Sequence, residues 1–144
     1  MQLPKYQILD FIKSEFEKAK FTITPDESRV EGLDFIIFSP KGKEINLHLQ
    51  SINLDKEKTI KILKSNLGVI TSNRFLGLVL IIENEPRIFY LIPAKALAKP
   101  DNRIFFENNV SIMPHLSNWE IKIFTSAIPE LAKFEISNFY SSVD

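Results

Sequence analysis

Three side chains in the first third of the chain have the types and spacing of a working site: the carboxyl of Asp34, the imidazole of His48 and the amide of Gln50. A carboxylate holds hard cations through oxygen. An imidazole ligates metals or moves a proton near neutral pH. An amide donates and accepts hydrogen bonds but carries no charge. These groups meet only if the backbone folds back on itself, and the local sequence provides for that. Residues 34–39, DFIIFS, are an apolar run opened by one acid. Pro40-Lys41-Gly42 is turn chemistry, with proline presetting φ and glycine tolerating positive φ. Residues 45–52 then alternate, with Ile45, Leu47 and Leu49 on one side and Asn46, His48 and Gln50 on the other. A hairpin folded about Lys41 sets Asp34 opposite His48, and facing residues in an antiparallel pair lie about 5 Å apart.

The elements around this hairpin follow from the same periodicities. Residues 4–20 predict an amphipathic helix whose buried stripe is Leu9, Ile12, Phe16 and Ala19. Phe21-Thr22-Ile23-Thr24 is a short strand ended by Pro25. After the hairpin, Asp55 is placed as the N-cap of a helix over residues 56–66, stopped by Gly68, with Ile60, Leu63 and Leu67 buried. Lys56, Lys58, Lys61 and Lys64 then form its basic face. Residues 75–82, FLGLVLII, are apolar on both faces, as in an interior strand. Glu83-Asn84-Glu85-Pro86 turns the chain into a further strand over 87–92, and 94–98 predicts a helical turn. A short strand is expected over 103–107. Ser117 and Glu120 have capping-box spacing, so helices are expected over 118–126 and 129–139. The sum is one α/β domain over residues 1–144: a mixed central β-sheet flanked by helices.

Composition narrows the function classes. Hydrophobic residues are 44% and charged residues 25%, the range of an ordinary globular domain. The formal net charge is zero, unlike a dedicated nucleic-acid binder. There are no cysteines, which excludes disulfides, thiolate zinc sites and cysteine nucleophiles. No apolar run is long enough to span a bilayer and the N-terminus has no signal-peptide layout, so a soluble cytoplasmic protein without membrane contact is expected. Charge is nonetheless uneven. Residues 41–74 hold seven basic side chains against three acidic ones, and residues 101–144 hold three against six. No glycine-rich phosphate loop, metal-binding His pair or Ser-His-Asp set is present at useful spacing. His115 has no acid near it in sequence and reads as incidental.

The order of elements, with this hairpin, resembles the restriction-endonuclease-like PD-(D/E)XK superfamily. Gly32-Leu33-Asp34 is similar to the GxD opening of small prokaryotic members, and residues 45–51, INLHLQS, to their third core strand. Residues 75–97, FLGLVLIIENEPRIFYLIPAKAL, are similar to the strand pair that ends there in an Ile-Pro-Ala type segment. The resemblance implies an αβββαβ core over about residues 1–100, followed by a C-terminal helical extension over 101–144. It also implies metal-dependent nucleic-acid cleavage by an Asp on the second core strand with an acid and a lysine two residues apart on the third. Here His48 stands in the acid's position and Gln50 in the lysine's. Mg²⁺ prefers oxygen ligands, and a neutral amide cannot offset developing phosphate charge. Glu44 is a poor substitute, because four strand residues place it about 13 Å from His48. Asp10 on the first helix loosely matches a helix acid of some members.

The resemblance therefore implies a degraded nuclease fold, with Asp34, His48 and Gln50 as its remnant site. Such a domain would act as a nucleic-acid-binding or assembly module and need no cofactor. Any nucleic-acid binding would be non-specific, through Lys56, Lys58, Lys61 and Lys64. One rival is a working nuclease with Asp34 and His48 around Mn²⁺ or Mg²⁺. The other is a protein-interaction module, such as a homodimer, with no link to nucleic acid. On the structural reading of the same residues, Asp34 is a strand-opening acid, His48 a partly buried hydrogen-bonded residue, and the lysines a solvated face.

Overall fold

The computed structural model describes residues 5–25 and 35–138. Helix α1 (Lys5–Lys18) leads into β1 (Thr22–Pro25); β2 (Phe35–Phe38) and β3 (Glu44–Asn53) form the expected hairpin. The turn between them closes with Gly42 N–H donating to the Ser39 carbonyl at 2.8 Å and Ser39 N–H to the Lys43 carbonyl at 2.9 Å. Gly42 sits at φ +83°, where a side chain would be strained. The pairing Phe35↔Leu47 through Phe38↔Glu44 is the register of a fold about Lys41. Strand β5 (Arg74–Ile82) then lies parallel to β3, and β6 (Glu85–Pro93) returns antiparallel to it. Glu83 and Asn84, both at positive φ, make the tight turn between them. The result is a mixed five-stranded sheet of order β1-β2-β3-β5-β6.

The crossover from β3 to β5 overturns one expectation. Residues 56–66 are not a helix. They form strand β4 (Thr59–Leu63) and only four residues of helix, α2 (Lys64–Leu67), which Gly68 ends at φ +80°. Thr59-Ile60-Lys61-Ile62 is rich in β-branched residues, and Ile62 is fully buried while Lys61 faces out, a period of two. Asp55 caps no helix; its backbone N–H is bound by the Asn53 side chain in a turn. The second correction lies at residues 118–126. Strand β8 (Asn118–Lys122) stands there, between β4 and β7 (Phe105–Asn108), in a separate antiparallel sheet. The capping-box pair is used otherwise: Ser117 Oγ accepts from Val110 N–H and Glu120 from the Asn108 amide. The expected helix over 129–139 is reduced to α4 (Ile128–Leu131) and single 3₁₀ turns as far as Asn138. The 94–98 turn is present as α3 (Ala94–Leu97).

The five-stranded sheet carries a core on each face. Ile12 and Phe16 of α1 pack on Ile37, Ile45, Leu47, Val79 and Phe89, with the Phe16 and Phe89 rings edge to face at 5.2 Å. On the other face, Leu76, Leu78, Leu80, Tyr90 and Ile92 pack against Ile62, Trp119 and Ile121 of the small sheet. The protein is thus a mixed α/β structure in layers, with α1, the large sheet and the small sheet in that order. Residues 101–138 do not sit outside this scheme, because β8 pairs with β4 from residue Thr59↔Lys122 to Leu63↔Asn118.

Candidate functional site

Alternation along β3 decides which side chains share a face. Leu47 neighbours Phe75 and faces α1, whereas His48 neighbours Leu76 and Gln50 neighbours Leu78 on the opposite face. That face changes character across the sheet. At β5 it is fully buried under the small sheet, as Leu76, Leu78 and Leu80 show. Toward β2 it opens: Ile36, Asn46 and Gln50 are half-buried, Glu44 is exposed and Phe38 is 37% exposed. His48 lies at the border, 8% exposed.

His48 and Gln50 are tied to each other. The Gln50 Nε2 stands 2.9 Å from His48 Nε2. An amide nitrogen only donates, so the ring nitrogen accepts and its lone pair is engaged. That lone pair is the one a metal or a proton in transit would take. The described donors, a neutral imidazole already bound and a neutral amide, do not fit Mg²⁺, which takes oxygen ligands. Among the described residues no three His, Asp or Glu side chains converge as a metal-binding set.

The other sequence candidates fall apart in space. Asp34 lies outside the described residues. Asp10 is exposed on α1, which packs on the face opposite His48, so the two do not meet. Glu44 pairs with Phe38, as expected, and stays at the rim. His115 is exposed on a 3₁₀ turn over Pro114–Leu116. The four lysines share no helical face, because of the four only Lys64 lies in a helix, the four-residue α2. Lys58 Nζ is tied to the Leu54 carbonyl at 2.5 Å. Lys64 Nζ bonds Glu107 at 2.5 Å and Asn109 at 2.8 Å, and lies 4.4 Å from the centre of the Trp119 ring. Lys56, in a turn, and Lys61, on β4 opposite Glu120, are the exposed members with neither an ion pair nor a side-chain hydrogen bond to another described residue.

Sequence reasoning missed Arg74. The apolar run was read from Phe75, so the arginine before it counted only as charge. Yet it belongs to β5, pairs with Asn46 of β3, and is 8% exposed. A charged residue opening an otherwise apolar strand was the available signal. No known protein family, no curated protein and no solved structure matches this chain.

Proposed function

We propose that this chain is a nuclease-fold domain that has lost cleavage chemistry and works as a binding or assembly module. The observation that carries the proposal is the His48–Gln50 hydrogen bond at the two third-strand positions where the resemblance calls for an acid and a lysine. A pair that engages the Nε2 lone pair of the imidazole and bears no carboxylate neither holds Mg²⁺ nor offsets charge on a phosphate in transition. The topology supports the ancestry. A helix, three antiparallel strands and a crossover to a strand parallel to the third are the order that the resemblance implies. The crossover differs, since a strand precedes its short helix.

The test is a cleavage assay on DNA and RNA with Mg²⁺ and, separately, Mn²⁺. No cleavage is expected with either ion. Robust cutting that Asp34→Ala abolishes would replace this reading with that of a nuclease built on Asp34 and His48. Light scattering of the same sample, and titration of a labelled duplex and single strand at low salt, then separate self-assembly from nucleic-acid binding.

A further inference from the structure

One charged group is buried and belongs to no ion pair among the described residues. Arg74 opens β5, and every residue after it in the strand is apolar or glycine. It shares a sheet face with His48, because its register partner is Asn46 and the register partner of His48 is Leu76, two residues further on. Its Nη1 donates at 2.9 Å to the carbonyl of Leu67, the last residue of α2. Its Nε is buried without an acceptor. No carboxylate of the described residues pairs with it, although Lys64, Arg87 and Arg103 each find one. A guanidinium has five N–H donors and does not lose its proton inside a protein. It cannot escape burial by becoming neutral, and one carbonyl answers a small part of its charge. A buried charge so little compensated is costly.

The surroundings point to what compensates it. Asn46 beside it is a half-buried amide, neutral and able to donate. The acid nearest along β3 on this face is Glu44, exposed at the rim beyond Asn46. The segment 41–74 that contains Arg74 holds seven basic side chains against three acidic ones, a net positive charge that favours anions over cations. A guanidinium has the fork geometry that grips two oxygens of a phosphate, and 8% of Arg74 stays exposed to reach one. We propose that Arg74 binds a phosphate group at the edge of this face, with the Asn46 amide as a neutral second donor. The site rests on the reading of the chain as a binding module, and it is independent of whether the chain cuts nucleic acid.

The probe is inorganic phosphate, and the readout is thermal unfolding of the full chain against chloride at matched ionic strength. Ligand held only by the folded state should raise the midpoint by about 3–5 °C at ten times its Kd, and the rise should follow the logarithm of concentration above Kd. Excluded-ion stabilisation is shared by all variants, so the difference between variants reads the site. Arg74→Met should lose this logarithmic rise, and Lys95→Gln, on the exposed side of α3, should keep it. A logarithmic rise that survives in Arg74→Met, or is absent from the wild type, overturns the proposal. Should Arg74→Met fail to fold, ¹⁵N spectra of the wild type decide: phosphate must shift the Arg74 Nε–H signal saturably, and an unmoved signal overturns the site. A labelled single-stranded oligonucleotide separates the sources of phosphate. Binding that inorganic phosphate competes away and Arg74→Met abolishes assigns the nucleic-acid backbone. Phosphate binding without oligonucleotide binding assigns a small phosphorylated ligand. Cleavage would refute the pseudoenzyme reading and leave this site standing, so the two fail separately.

Discussion

Gln50 holds the His48 ring by a single hydrogen bond on a half-buried face, so its truncation has a defined cost. Gln50→Ala should destabilise the protein by about 1 kcal/mol in urea unfolding, the net worth of such a bond. Gly77 is a sharper case. A Cβ there would meet Leu47 Cδ1 at 2.9 Å and Phe89 Cε1 at 3.1 Å, both in the core under α1. Gly77→Ala should therefore cost about 1–3 kcal/mol by overpacking, with the slope of unfolding against urea unchanged. Tyr90 gives stability a dependence on pH in the alkaline range. Burial, and then the charge of Glu135, push its hydroxyl from 10.0 up to about 12. The folded state thus keeps a proton that the unfolded chain gives up. Its contribution is complete below pH 10 and is lost as the pH rises from there toward about 12. Tyr90→Phe should flatten that part of a stability–pH curve. The His48 and Gln50 positions were legible because a period of two is a local property of sequence. The burial of Arg74 was not, since it arises only when β3, β5 and the α2 turn come together.

Strand β4 shows where local reading ends. Lysines at 58, 61 and 64 mark a helix as readily as a strand, and Asp55 with Gly68 supplied plausible ends. What decided the matter was β8, whose partner residues lie beyond position 117. Trp119-Glu120-Ile121-Lys122-Ile123 also alternates, but the capping-box spacing of Ser117 and Glu120 competed with that signal. The hairpin, by contrast, needed only its own turn, and β5 with β6 only Glu83-Asn84. The strand reading changes what the lysines are expected to do. Lys56→Gln with Lys61→Gln should weaken any oligonucleotide binding and flatten its salt slope by about two units. Stability should hardly move, by about 0.5 kcal/mol or less. Lys64→Gln should behave in the opposite way. It breaks the contacts to Glu107, Asn109 and Trp119 and costs stability, with little effect on binding. Chemical denaturation and salt-dependent titration of the same variants check both halves.

At the scale of the whole molecule, β5 contributes to both cores, with Phe75 and Val79 on one side and Leu76, Leu78 and Leu80 on the other. Neither core survives without it, so the layers should unfold together. Trp119, the sole tryptophan, reports on the small sheet, while far-ultraviolet dichroism reports on all elements. The two signals should give one coincident urea transition, and separated midpoints would show that the small sheet comes apart first. The pairing of β4 with β8 has a further bearing on how the chain is made. Residues 59–63 leave the ribosome well before their partner, residues 118–122, is synthesised. During that interval Ile62 and Leu67 have no small sheet to cover them, and β4 is an open strand edge. A nascent chain stalled near residue 100 is therefore a sticky intermediate that a chaperone would recognise. Release of the last third closes it.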